Sequence, residues 1–399
     1  MVQRKEMRKC DVAVTGIGLV TPLGCNPGEI LSAISKGRTA HQKPSGFDPS
    51  GFLCPVAGEV HDRCIDELVK DRKEARLMGR DALLAVAAAR LALQDSGIVF
   101  GRDCSPEDVA LVGATGMAGL PFGEIEALVR ASADDHGWFD LRLFGEKGLR
   151  VTRPVISFKI LNNMPLCFVS IFEGIQGTNL IFNPWEGQGA LAIWEGIRCI
   201  ERGEARLAVA GGCDCKSHNL AFVTLQQYGM FDSWRRSGTG MVPGEGAGFL
   251  VLERASVARK RKACIYCLFR RVGHASDLDA MTGYTSRWHP LAEAMENGMR
   301  DAETRPGIVF SGVDGDIAGD AVENEALERV GLARLPSIAV KLHVTNLFAA
   351  AAVTNVGLAA YALSSGAFAG AARGRSSPAA IVNCFGPGTE KVSFLLGAA

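Results

Sequence analysis

Short runs of apolar, often β-branched residues alternate along this chain with longer stretches whose apolar positions recur every three or four residues. Runs of the first kind read as strands buried on both faces, and stretches of the second kind as helices packed over them. The pattern predicts strands at 11–16, 109–113, 179–183, 207–211 and 248–253. Helices are expected at 27–35, 75–96, 123–131, 160–172, 187–202 and 256–262. Beyond residue 253 the rhythm repeats, with strands at 264–273, 337–340, 379–383 and 391–396 and helices at 290–302 and 319–330. Such alternation is the signature of layered α/β architecture. No Pro/Ser-rich linker interrupts it, so the expectation is one unit of two intimately packed halves, residues 1–253 and 254–399.

One stretch tests that picture. Residues 344–372 carry no charge and are long enough to cross a bilayer. They also contain Thr345, Asn346, Thr354, Asn355, Ser364 and Ser365 among many alanines, which favours a helix buried inside protein. Composition narrows the function classes further. The 43 basic and 43 acidic residues cancel, which argues against a nucleic-acid binder. Glycine, 47 of 399 residues, is in excess and points to turns and close backbone contacts. The basic stretch 1–10 leads directly into a strand, so no signal peptide is expected, and the chain reads as cytoplasmic. Twelve cysteines are scattered without framework spacing, which suits reduced, buried thiols. Neither they nor the seven histidines show metal-ligand spacing. The glycine-rich run 243–248 enters a strand and leaves no helix N-terminus for a phosphate. No metal or cofactor is expected.

Several segments together resemble one family. Residues 12–24, VAVTGIGLVTPLG, look like the opening strand and turn of β-ketoacyl-acyl-carrier-protein synthases. In the same order follow Arg153-Pro154-Val155-Ile156-Ser157, Gly174-Ile175-Gln176-Gly177, Arg202-Gly203-Glu204-Ala205, Ala210-Gly211-Gly212, Val242 to Gly248 as VPGEGAG, and Asn383-Cys384-Phe385-Gly386. The resemblance spans nearly the whole chain. It implies the thiolase-like α/β fold, five layers αβαβα built from two similar halves.

The departures from the family pattern concern its chemistry. An active member uses a cysteine nucleophile at a strand-to-helix elbow and two histidines that polarise a malonyl thioester. Here the elbow falls in residues 183–189, and the nucleophile position holds Glu186. A carboxylate there cannot form the acyl-thioester that condensation needs. The segment expected to carry the first histidine reads Val313-Asp314-Gly315-Asp316-Ile317, ahead of Gly319-Asp320-Ala321-Val322-Glu323. The second histidine, five residues after the lysine present as Lys341, is replaced by Asn346. A family glutamate further on is Asn355, and the gating phenylalanine of the last loop is Pro387. His343 is out of register with the lost histidine. No catalytic residue is expected at these positions; Glu186 reads as a structural replacement paired with Lys341, since a buried carboxylate needs a partner.

Those losses are similar to the chain-length factor, the ketosynthase beta subunit of type II polyketide systems. The resemblance implies a heterodimer with a catalytic ketosynthase alpha subunit, working with an acyl carrier protein that bears malonyl units or the growing polyketide. The beta subunit then acts sterically, because lengthening a chain against a closed wall overpacks a dense interior. The wall segment corresponds to residues 116–125, with Leu120 and Phe122 as gate residues and Gly119 and Gly123 leaving room between them. Two alternatives stay open: a stand-alone decarboxylase or cyclase using Glu186, and an inert homodimeric scaffold. The basic run Arg254 to Lys262 reads as a solvated helix face.

Overall fold

The computed structural model describes residues 11–69, 72–116, 122–281, 283–367 and 379–399. Its strands are β1 (Val12–Val20), β2 (Val109–Thr115), β3 (Asn179–Phe182), β4 (Leu207–Cys215) and β5 (Glu245–Arg254), then β6 (Cys267–Ser276), β7 (Ile308–Ser311), β8 (Ser337–Ala339), β9 (Ala379–Cys384) and β10 (Glu390–Gly397). They form one sheet in the order β3-β2-β4-β5-β1-β6-β10-β9-β7-β8. Within each half the order, read from the outer edge, is third, second, fourth, fifth, first. The pair directions repeat as well. β2 runs parallel to β3 and β4, and β7 runs parallel to β8 and β9. β5 lies antiparallel between β4 and β1, as β10 does between β9 and β6. The halves join where Val12–Val14 pair with Phe269–Cys267.

Helices complete five layers. Arg80–Ser96 and Met164–Glu173 cover the outer face of the first half, and His289–Met299 and Ile317–Arg329 that of the second. Glu186–Arg202 and Ala351–Ser365 pack against each other between the two half-sheets. This is the thiolase-like αβαβα arrangement. Its central strands are covered on both faces: all nine residues of β1 and all nine of β4 are buried.

Besides shifted ends, such as the helix expected at 75–96 that begins at Arg80 and the strand expected at 207–211 that runs to Cys215, sequence and structure part at four places. The first strand does not end at Gly16 but continues to Val20, so Gly16 and Gly18 are strand residues, not turn residues. A Cβ on them would stand 2.3 Å from the Ala92 carbonyl oxygen and 2.0 Å from that of Ala88, so glycine lets the Ala-rich helix lie directly on the strand. The turn glycine there is Gly24, at φ +124°. The helix expected at 160–172 is two, Ser157–Ile160 and Met164–Glu173, with Pro165 opening the second, where its missing N–H costs nothing. The helix expected over 290–302 stops at Met299, because Arg300 is extended and Asp301 is left-handed at φ +53°. The uncharged stretch is not one helix from 344: Lys341–Val344 is a short turn of helix, Thr345 breaks it at φ +82°, and the long helix is Ala351–Ser365. Phe348–Ser365 has the length and apolarity of a membrane span, and 78% of that window is buried inside the protein.

Candidate functional site

β3 ends at Phe182, Trp185 caps the next helix, and Glu186 is its first residue, with none of its surface exposed. Glu186 thus occupies the elbow anticipated from the sequence. Its Oε2 accepts a hydrogen bond from Lys341 Nζ at 2.7 Å, while Oε1 has no partner. Burial, helped by the nearby Asp314 charge and opposed by the Lys341 ammonium, raises its carboxyl to about 7. Lys341, itself buried, also donates to the Phe385 carbonyl at 2.9 Å and lies 3.9 Å from Asp314 Oδ2. Burial works against its charge, yet the Glu186 and Asp314 carboxylates prevail and the ammonium is held above its ordinary range.

Asp314 joins the second half of the site to this pair. Its Oδ2 accepts from Asn346 Nδ2 at 2.6 Å and from the Tyr284 hydroxyl at 2.5 Å. Asn346 returns its own Oδ1 to the Phe348 N–H at 2.8 Å. Next to it, Asp320 Oδ1 accepts the Asp314 N–H at 3.1 Å, and burial together with the Asp314 charge raises its carboxyl to about 7. Glu323 is fully buried, accepting from the Ser311 hydroxyl, the Gly312 N–H and Asn383 Nδ2; burial pushes its carboxyl up.

The fold therefore gathers Glu186, Asp314, Lys341 and Asn346 into one buried network. Asn355 lies at its flank, reaching the Ser311 carbonyl with Nδ2 at 3.3 Å and leaving Oδ1 unpartnered. Pro387 is buried in the loop after β9, between two carbonyls held by lysines: Phe385 by Lys341, and Gly388 by Lys391 at 2.6 Å. His343 sits apart, its Nδ1 against the Arg38 carbonyl. Gly123 is exposed on the helix Phe122–Ala131 with open space where a Cβ would stand, and Phe122 is that helix's first residue. Gly119 and Leu120 lie outside the described residues.

Sequence reading missed three members of this neighbourhood. Tyr284, in no quoted motif, completes the shell of Asp314. Lys391 is fully buried, and burial pulls its ammonium down to about 8. Cys384 brings a thiol within electrostatic reach of Glu186 and Lys341 across the central layer, a proximity no linear spacing encodes. Burial holds that thiol well above its ordinary range, so it is protonated and a poor nucleophile.

Chemically the network is closed on itself. A cavity of about 180 Å³ opens beside the elbow, lined by Pro184, Trp185, Lys216, Ala221, Thr224, Leu225, Tyr228 and Met281, and Glu186 is not among its walls. The Glu186, Asp320 and Glu323 carboxyls hold protons that the unfolded chain releases earlier. Asp320 rises from 3.8 to about 7 on folding, so its contribution to stability is complete below pH 3.8 and is lost as pH climbs to about 7. Asp320→Asn keeps an acceptor for the Asp314 N–H and removes that titration. Relative to the native chain, the variant is expected to gain stability steadily across that window in urea unfolding at constant ionic strength. Parallel stability curves for the two proteins would show that Asp320 titrates normally.

The five-layered fold and its elbow define the thiolase-like class. The model of the β-ketoacyl synthase N-terminal domain matches residues 9–258, and the chain belongs to that family. It is 29% identical over 342 residues to 3-oxoacyl-[acyl-carrier-protein] synthase 2 of Vibrio harveyi, covering 81% of this chain and 77% of that protein. It is also 29% identical over 370 residues to the tetracenomycin polyketide synthase ketoacyl synthase beta subunit of Streptomyces glaucescens, covering 87% and 84%. Among solved structures, the ishigamide ketosynthase/chain length factor superposes with a TM-score of 0.77 at 20% identity, over 98% of this chain and all of that one.

Proposed function

We propose that this chain is a non-catalytic chain-length factor. It pairs with a catalytic ketosynthase alpha subunit and shapes the tunnel in which a polyketide grows by decarboxylative condensation of malonyl units on acyl carrier protein. The observation that carries this reading is the Glu186–Lys341 pair. At the elbow where a condensing enzyme of the family needs an exposed thiol, this chain has a carboxylate without surface, neutralised by a lysine equally buried. Glu186, Asp314, Asn346, Asn355 and Pro387 then form a degenerate site around the retained Lys341. The relatedness to a ketoacyl synthase beta subunit supports the same reading.

The surface supports a partner. Of the 17 large apolar side chains exposed among the described residues, ten fall between Val129 and Leu180: Val129, Trp138, Phe139, Leu141, Leu149, Val151, Phe158, Leu161, Ile171 and Leu180. That concentration in an eighth of the chain ends on β3, one of the two edge strands of the sheet among the described residues, and such an edge can extend onto a second sheet. Gly119, Leu120, Phe122 and Gly123 would contribute the wall, the two halves would divide at 253/254, and the complex would work in the cytoplasm.

Co-expression with a candidate ketosynthase alpha subunit tests this reading. The expected result is a one-to-one complex, condensing activity that depends on the partner, and none from this chain alone. Enlarging Gly123 to tryptophan, at a position with open space around it, is expected to shorten the product by one or more two-carbon units in an intact complex. A homodimer that turns over malonyl-carrier protein unaided would overturn the proposal in favour of a stand-alone enzyme.

A further inference from the structure

Residues 385–389 cross the elbow as a strap. Gly386 rides on Glu186, where a Cβ would stand 2.7 Å from Oε2, and Gly388 rides on Trp185, where a Cβ would stand 2.8 Å from Cδ1. Phe385, Gly386, Pro387 and Gly388 are all buried. The strap is tied down along its length. Its Phe385 carbonyl accepts from Lys341, its Gly388 N–H donates to the Gly283 carbonyl at 3.1 Å, and its Thr389 carbonyl accepts the Asp277 N–H at 2.8 Å. A further tie is Lys391 Nζ on the Gly388 carbonyl at 2.6 Å. Lys391 has none of its surface exposed, and among the described residues its ammonium makes that one hydrogen bond and no ion pair. A buried ammonium in such surroundings is costly to keep, and the strap is what it holds.

We propose that Lys391 is a positioning residue that staples this strap shut over the elbow, so that Glu186 stays walled off from the cavity beside Trp185. Trp185 lines that cavity and Glu186 does not, and Gly388 packs against the same indole ring. With Gly388 tied at both its carbonyl and its N–H, the strap cannot lift from Trp185 without breaking both bonds. Pro387 stiffens the span between the two lysine-held carbonyls, because its ring fixes φ. A molecule entering the cavity therefore meets a closed wall instead of the carboxyl behind it. The inference does not depend on the chain-length role, since it concerns access to the elbow alone.

The test is amide hydrogen exchange, read by mass spectrometry of peptide fragments from the full chain, native and Lys391→Met. Glu186 and Gly187 lie in the first turn of their helix, where N–H groups have no carbonyl one turn back. Both are buried, so their protection reports the cover above them. In the native protein the amides of Gly388, Asp277, Glu186 and Gly187 are expected to exchange as slowly as those of β10. In Lys391→Met these four should exchange on the order of tenfold faster, while urea stability of the whole fold is not lowered. Unchanged exchange in a folded variant overturns the staple. Faster exchange in the strap with the elbow amides unchanged overturns the wall. Uniformly faster exchange with lower urea stability makes Lys391 a support of the fold at large, and that also overturns the proposal. If the methionine variant does not fold, Lys391→Gln, shorter and uncharged, takes its place. Native strap amides that exchange far faster than β10 overturn the proposal with no variant at all.

Discussion

Replacing Lys341 by methionine is expected to destabilise the fold by about 3–5 kcal/mol near pH 8, because it strands a buried carboxylate. Glu186 has no exposed surface and one acceptor atom already without a partner, so removing the ammonium leaves it no compensating donor. The Phe385 carbonyl loses its donor in the same step. Near pH 5 the penalty should shrink, since Glu186, already raised to about 7, takes up a proton and no longer presents a charge. The paired substitution Glu186→Leu with Lys341→Met should recover most of the loss, as apolar replacements of whole buried ion pairs do. Urea unfolding of the three proteins at both pH values measures this. A loss under about 1 kcal/mol for Lys341→Met at pH 8 would mean the pair is hydrated and worth no more than a surface bridge. The double variant also carries a functional test: if the site is chemically idle, a complex containing it should make product of native length.

How much of this was legible beforehand follows from what each feature depends on. The layered fold was readable because strands covered on both faces are largely apolar, as the first seven residues of β4 are, and because glycine motifs recur in order. The Glu186–Lys341 pair was readable for a similar reason: once an elbow and a lysine are placed, burial leaves a carboxylate few options. Boundaries failed where one residue overrode a periodic pattern. Pro165 splits one helix, Asp301 ends another, and Thr345 interrupts what composition alone presents as continuous. Gly18 falls outside the predicted strand because glycine in a turn and glycine under a close-packed helix look alike in sequence. Tyr284, Lys391 and the proximity of Cys384 to the Glu186–Lys341 pair were invisible, since each depends on strands or loops brought together from separate parts of the chain.

The exposed edge carries the other large expectation. Ile171 is 67% exposed and Leu180, on β3, is 39% exposed, an unfavourable display for two aliphatic residues in a free chain. Apolar anchors at the centre of an interface typically contribute 2 kcal/mol or more each, and a charge placed there adds desolvation. Ile171→Asp combined with Leu180→Arg should therefore cost about 4 kcal/mol or more of pairing energy, on the order of a thousandfold in affinity for the partner synthase. The chain itself should remain folded, because exposed positions rarely change stability by more than about 0.5 kcal/mol. Leu278→Asp, at a side chain 75% exposed but in the second half beyond β6, provides the control and should leave pairing intact. Mass measurement of the co-expressed complex, with thermal unfolding of each variant alone, reads both effects. Pairing that survives the double change would move the interface away from β3, and with it the tunnel wall proposed in the segment that follows the neighbouring β2.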